Sequence, residues 1–345
     1  MGASYQTVLW NRQKRIYDLI LGGFVVCFLS LFSITTLIVK PEVTAETLII
    51  RSTSTLALFL LHIILCIGPL ARLRPIFLPL LYNRRHLGVC MFFVAAVHGI
   101  FSIIQFHALG NVNPILSVFL SNTHYESYVK FPFEIFGIVG LTIFFLMAAT
   151  SHDFWLHNLT PRIWKMLHMG VYIAYASIVL HVLLGALQDE ISPALVATFA
   201  LGCIAVIILH LLAGKRERTK DLASIQTDQK FVKVGSVQDI QDNRAKVVVL
   251  NGERIAIFKY DKKLSAISNV CKHQNGPLGE GKIVDGCVTC PWHGYQYLPH
   301  NGSSPPPFRE KVSTYDVKVV DEEVWINPSP YPEGTERPPA RINLS

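Results

Sequence analysis

The chain has 345 residues, of which 51% are hydrophobic and 16% charged, with a formal net charge of +7. Soluble proteins carry about 25% charged residues, and the deficit here is concentrated in the first 214 positions, which excludes a wholly soluble protein and marks that half as membrane-embedded. The surplus Lys and Arg flank the apolar stretches, so the charge reports topology and anionic-lipid contact and speaks against a nucleic-acid partner.

Six apolar stretches, roughly 16–39, 53–71, 87–109, 131–150, 163–187 and 192–214, reach the length of about 20 residues that a helix needs to cross a lipid bilayer. The expectation is an all-α six-helix transmembrane bundle over residues 1–214 of a multi-pass cell (inner) membrane protein. The first stretch is longer than a signal-peptide core, has no small-residue cleavage site after it and is followed by five more spans, so it is read as a span. Arg12, Lys14, Arg15, Arg72, Arg74, Arg84, Arg85, Arg162, Lys165, Lys215, Arg216, Arg218 and Lys220 fall on one side, against Lys40, Arg51 and Lys130 on the other. The positive-inside rule then puts both termini in the cytoplasm.

Histidines are costly in lipid and default to functional candidates there. His62, His98, His168 and His181 lie inside spans, and His86, His107 and His210 near span ends. The third span runs from Arg84-Arg-His-Leu-Gly to His98, and the fifth carries Trp164-Lys-Met-Leu-His168 with His181 thirteen residues on. Together with Gly68-Pro-Leu-Ala-Arg72 closing the second span and Thr150-Ser151 closing the fourth, these segments resemble the ferric reductase-like transmembrane domain family. Within it they are most similar to the haem-binding membrane subunit of the bacterial methionine sulfoxide reductase system. The resemblance implies b-type haem held by histidines of the third and fifth spans, and puts His98, His168 and His181 on the ligand positions.

Spacing adds its own argument. Thirteen residues separate His168 from His181 by about 20 Å along a helix, most of a hydrocarbon core about 30 Å thick. One or two haems fit, an outer one at His98 and His181 and an inner one at His168. His86 lies about 18 Å along the helix from His98 and is the candidate second ligand of the inner haem, a place that equally suits a solvated edge residue. His62 reads as an interhelical hydrogen-bonding residue or a neighbour of a haem propionate. His107, His124 and Tyr125 fall at or in the external loop after the third span, and His152 and His157 on a cytoplasmic loop, with no recognisable site.

After the sixth span a basic and polar linker is expected over 215–228. The period then changes. Phe231-Val-Lys-Val, Lys246-Val-Val-Val-Leu, Arg254-Ile-Ala-Ile-Phe, Tyr315-Asp-Val-Lys-Val-Val and Glu323-Val-Trp-Ile read as short strands between Gly, Asn and Asp turns, which predicts a small antiparallel all-β domain over 229–328. The proline-rich end, 329–345, is expected to pack on that domain as an extended tail or to be disordered.

Inside the β region stand Cys271-Lys-His273 and Cys290-Pro-Trp-His293, sixteen residues apart. Two Cys and two His at short spacing describe either a structural zinc site or a Rieske [2Fe-2S] cluster, in which two thiolates hold one iron and two imidazoles the other. The order Cys-x-His then Cys-x-x-His, the flanking Gly276-Pro-Leu278, the run Cys290 to Tyr297 and the proline-rich Ser304 to Phe308 resemble the cluster loops of Rieske domains. By that resemblance Cys271, His273, Cys290 and His293 are the cluster ligands. Gly276 and Trp292 stand where high-potential relatives carry a loop-linking disulfide, and Tyr295 where they carry a serine donor. Fewer donors leave the reduced cluster less stabilised, which places the potential toward the low end of about −150 to +300 mV. Of the other cysteines, Cys27, Cys66, Cys90 and Cys203 lie in spans and Cys287 on a strand, so no disulfide framework is expected.

No Gly-rich dinucleotide fingerprint follows a strand, so the flavin and nicotinamide domains of ferric reductases have no counterpart in this sequence. Only about fifty residues follow His293, too few for the mononuclear-iron domain of a Rieske oxygenase. The combination reads as a membrane electron-transfer protein. Its donor would be a cytoplasmic ferredoxin reductase or nicotinamide-linked flavoprotein, and its acceptor an external protein, a metal ion or membrane quinone. A quinone-linked redox protein and a membrane-tethered Rieske sensor or docking module are the other readings.

Overall fold

The structure is a computed structural model that describes residues 12–81, 83–151, 155, 159, 161–189, 192–273, 275–292, 294–306 and 308–342. It divides into two compact units. The first takes Arg12–Cys66 and Asn83–Ile208, and the second includes Ile67–Tyr82 and Leu209–Ser345.

Eight helices of seven or more residues are described, α1 (Arg12–Val39), α2 (Ala45–Leu73), α3 (Arg84–His107), α4 (Pro114–Leu120), α5 (Glu134–Ala149), α6 (Pro161–Met169), α7 (Val171–Leu184) and α8 (Pro193–Leu222). The count exceeds the six expected for two local reasons. The third-to-fourth-span loop folds its own short helix α4, where Pro114 opens the first turn and the Asn113 side chain accepts from the Ile115 and Leu116 amides at 3.0 and 3.4 Å, a standard N-cap. The fifth span breaks at Gly170, whose amide donates to Leu167 O at 3.1 Å, so it forms α6 and α7. Among the described residues five segments are long and apolar enough to cross a membrane, α5 being a shorter apolar helix. The chain is a multi-pass membrane protein, helical in this half because no water is available in lipid to satisfy an open backbone. Even the polar run Ser52 to Thr55 returns its hydroxyls to the carbonyls of Ile49, Ile50 and Arg51 on its own helix.

The second unit holds the ends of α2 and α8 and, from Val232 on, an antiparallel β domain. Its strands are β1 (Val232–Ser236), β2 (Ala245–Leu250), β3 (Glu253–Tyr260), β4 (Lys263–Ser268), β5 (Lys282–Val284), β6 (Cys287–Thr289), β7 (Gln296–Tyr297), β8 (Thr314–Tyr315), β9 (Val317–Val320), β10 (Glu323–Ile326) and β11 (Ala340–Arg341). They form three sheets, β1-β10-β9, β11-β4-β3-β2 with β8 added to β4, and β5-β6-β7. Strand β3 is the centre, because successive side chains leave opposite faces and both faces are covered. Ile255 and Ile257 enter one core with Val232, Leu264 and Ile326. Ala256, Phe258 and Tyr260 enter another with Leu278, Val288 and Tyr297.

The run Tyr315 to Val320, read from sequence as one strand, is divided at Asp316. β8 pairs with β4 and β9 with β10, and Asp316 between them takes Tyr331 Oη at 2.7 Å and Arg337 Nε at 2.6 Å from the tail. The described part of that tail is packed, with β11 on β4.

Candidate metal centres

The two cysteine loops share one fold. In the first, Cys271 N–H donates to Gly276 O at 2.9 Å and Cys271 O accepts from Asn275 N–H at 2.6 Å. In the second, Cys290 N–H donates to Tyr295 O at 2.8 Å and Cys290 O accepts from Gly294 N–H at 2.9 Å. Each turn is closed by a residue at positive φ four places after its cysteine, Asn275 at 59° and Gly294 at 74°, a conformation that Asn and Gly tolerate best. The six-residue turns arrive from β4 and β6, and both cysteines are buried.

The loops abut at Gly276, where an added Cβ would stand 2.7 Å from Cys290 Sγ and 3.2 Å from the Trp292 ring. The glycine at this position therefore leaves a cradle beside the sulfur, in keeping with a cofactor between the loops. His273 presents a buried Nδ1 and stacks face to face on Tyr295, ring centres 4.5 Å apart. His293 lies outside the described residues, as do His152 and His157. Two thiols and an imidazole on facing loops supply the soft and borderline donors that an iron–sulfur cluster requires.

Two residues beside the cysteines carry roles that motif reading missed. Tyr297 Oη accepts from Lys272 N–H at 3.0 Å and lies 3.3 Å from Cys271 Sγ, so its proton can be donated to the sulfur once Cys271 is a thiolate ligand. The donor thought to be missing with the serine is partly supplied by Tyr297. Tyr295, by contrast, donates its hydroxyl to Glu310, and burial raises both phenols above their ordinary pKa. The alternation Tyr295-Gln-Tyr297, leading into β7, was the available signal, since extended chain turns residues two apart to one face.

In the helical unit the structure brings His98 of α3 and His181 of α7 together, ring centres 6.3 Å apart and planes at 75°. Two imidazoles bound through Nε2 to one metal ion at about 2 Å each stand roughly 6 Å apart between ring centres, so the separation would suit two histidines holding one metal, such as a haem iron. His98 Nδ1 bonds Ile50 O at 3.2 Å and His181 Nδ1 bonds Phe133 O at 3.0 Å. A carbonyl only accepts, so Nδ1 carries the proton and each Nε2 keeps its lone pair for a metal. Gly137, one turn along α5 from Phe133, leaves room for the His181 ring, because a Cβ there would stand 2.8 Å from the ring Cε1.

The remaining histidines separate. His168 on α6 bonds Trp164 O through Nδ1 at 3.1 Å and stacks on the Trp164 ring at 3.5 Å, the same tautomer as the other two. His86 engages Asp18 of α1 at 2.7 Å, on a side of α3 turned about 120° from His98 at 100° per residue. His62 is buried, with Cys203 Sγ 3.9 Å from its Nε2 and Tyr175 edge-on at 5.7 Å, an interhelical contact of the kind expected. His107 pairs with Ser117 at 3.0 Å and His124 with Glu126 at 3.3 Å.

A family model for the Rieske [2Fe-2S] domain matches residues 230–316, and one for the ferric reductase like transmembrane component matches residues 53–179. The anthranilate 1,2-dioxygenase ferredoxin subunit of Burkholderia cepacia is 30% identical over 95 residues, 27% of this chain and 88% of that subunit. Cholesterol 7-desaturase nvd 1 of Ciona intestinalis is 30% identical over 110 residues, 31% of this chain and 23% of the desaturase. Among solved structures, a chain of the complex of reduced oxygenase and oxidized ferredoxin in carbazole 1,9a-dioxygenase is 23% identical with a TM-score of 0.29, covering 31% of this chain and 100% of that one. By its C-terminal part the chain belongs to the Rieske [2Fe-2S] family, and that part follows a ferric reductase like transmembrane component in a multi-pass membrane protein with an electron-transfer role.

Proposed function

We propose that the protein carries electrons from a cytoplasmic donor, through the Rieske domain and the membrane domain, to an acceptor on the outer face. Cluster and haem, when bound, each exchange single electrons. The chain supplies the rest. Cys271, His273, Cys290 and His293 hold the cluster, and Tyr297 directs a hydrogen bond to the Cys271 sulfur. His98 and His181, their Nδ1 protons held by backbone carbonyls, hold an outer b-type haem. His168 is the ligand for a second, inner haem; the bond of His86 to Asp18 makes His86 the weaker member of that set.

The observation that carries this reading over a sensor or docking module is the facing of His98 and His181 at 6.3 Å. A mere anchor has no use for two opposed histidines in lipid. The direction rests on the thirteen-to-three Lys and Arg asymmetry of the loops, which puts the Rieske domain inside, where a ferredoxin reductase or nicotinamide-linked flavoprotein can reach it. The test is an optical redox titration of the purified, folded protein. Reversible b-type haem bands, with potentials near or above that of the cluster, are expected; no haem absorbance in protein carrying its full cluster complement overturns the proposal.

A further inference from the structure

The linker expected over 215–228 is mostly not a tether. Helix α8 continues to Leu222, and within three residues the chain is stitched to the β2–β3 turn. Ile225 N–H donates to Val249 O at 3.1 Å and Ile225 O accepts from Asn251 N–H at 3.0 Å. The Asn251 side chain bonds Thr227 N–H at 2.9 Å and Thr227 O at 3.1 Å, and Ser224 Oγ accepts from Gly252 N–H at 3.1 Å.

Arg254, next on β3, reaches back to the helix. Its Nη1 lies 2.6 Å from Glu217 Oε2 and its Nη2 2.7 Å from Asp221 Oδ1, with Nε at 2.8 Å from the same oxygen. A second bond ties the first cysteine loop to α2. Arg72 Nε meets Glu280 Oε1 at 3.3 Å, and Glu280 ends the 3-10 turn Leu278–Glu280 that closes that loop. Burial pushes the Glu280 carboxyl pKa up, and Arg72 opposes the shift. Arg216 of α8 donates to Leu73 O of α2, so the two helix ends are joined as well. A lone exposed ion pair contributes about 0–1 kcal/mol. A guanidinium fork shared by two carboxylates beside a hydrogen-bonded backbone seam is the geometry in which charge pairs do hold position.

We propose that Arg254 with Glu217 and Asp221, seconded by Arg72 with Glu280, is a positioning lock that holds the cysteine loops in one orientation on the ends of α8 and α2. Within this unit the cysteine loops are then fixed to the two helix ends rather than swinging on a tether. The inference rests on the proposed function for its kinetic consequence, and on the α8–β2 seam for its structural one.

The experiment compares full-length wild type with Arg254→Gln and Arg254→Lys, the second keeping the charge but losing the fork. Hydrogen–deuterium exchange reads the Ile225, Thr227 and Asn251 amides, and stopped-flow absorbance reads haem reduction after the cluster is reduced. Arg254→Gln should exchange faster at all three amides and reduce haem several-fold more slowly, because electron tunnelling slows steeply as two centres move apart. Cluster EPR and haem bands should be unchanged, and Arg254→Lys should fall between. Wild type should slow on going from about 0.1 to 1 M salt, where the screening length drops from about 10 to 3 Å, whereas Arg254→Gln should not. Wild-type exchange and wild-type haem reduction in Arg254→Gln overturn the lock. If the reduced cluster of wild type passes no electron to haem, the proposed function fails instead, and the exchange result alone decides the lock. Should Arg254→Gln not fold, Arg254→Lys carries the same comparison.

Discussion

Replacing Tyr297 with Phe removes one hydroxyl and leaves the packing of a fully buried ring in place. That hydroxyl accepts from the Lys272 amide and directs its proton to Cys271 Sγ, so it interacts most strongly with the sulfur when the site is most negative. Hydrogen bonds to charged groups are worth about 1.5–3 kcal/mol. If about 1–2 kcal/mol of that is gained on reduction, the change is roughly 40–90 mV for a one-electron couple at 59 mV per tenfold. The sign is fixed: loss of the donor destabilises the reduced state and lowers the potential. The assay is an EPR-monitored redox titration of full-length Tyr297→Phe, with iron and sulfide content confirming a loaded cluster. Tyr295→Phe is the control, because its hydroxyl is committed to Glu310 and its removal should shift the potential much less. An unchanged or raised potential in loaded Tyr297→Phe protein refutes the reasoning.

Other perturbations follow from the same geometry. His181→Ala should remove one b-type haem from the optical spectrum and leave the cluster EPR signal intact; loss of both signals would argue against separate centres. Gly137→Val should remove the same haem without touching a ligand, because its Cβ would collide with the His181 ring at 2.8 Å, whereas Gly22→Val, with open space around it, should keep full haem content. Phe258→Ala empties the centre of the core beneath the cysteine loops and should cost about 3–5 kcal/mol. That loss would appear in calorimetry as a lower transition temperature for the β unit with the helical transition unmoved, and a single unshifted transition would sink the two-unit description.

Much of this was legible in residue order. The apolar spans and the cysteine–histidine spacings are local signals of strong period, and each led to the class of unit found. Two of the misses share one cause, that short or broken segments carry too little pattern to read. β5, β6 and β7 have only two or three residues each, below the length at which alternation is recognisable. Asp316 looked like one polar residue in a continuous strand, yet its carboxylate is where the chain changes sheets. Leu222 was taken into the linker because charged residues signal the membrane edge but do not end a helix; Lys, Arg and Glu are good helix formers, and α8 runs on through them.

What the amino-acid sequence by itself determined is composition-level physics and identity-level chemistry. A stretch of some twenty apolar residues must close its own hydrogen bonds in lipid, and two Cys and two His in that order mark the segment as a Rieske [2Fe-2S] domain. Only the tertiary structure decided which groups meet. It turned His98 toward His181 and His86 toward Asp18, pointed the Tyr297 hydroxyl at a sulfur while committing that of Tyr295 to a carboxylate, and set Arg254 on the end of α8. Such pairings join residues from 15 to 68 positions apart and more across helices and sheets. They depend on helix phase, strand register and the space a glycine leaves, and none of these is written in any one segment.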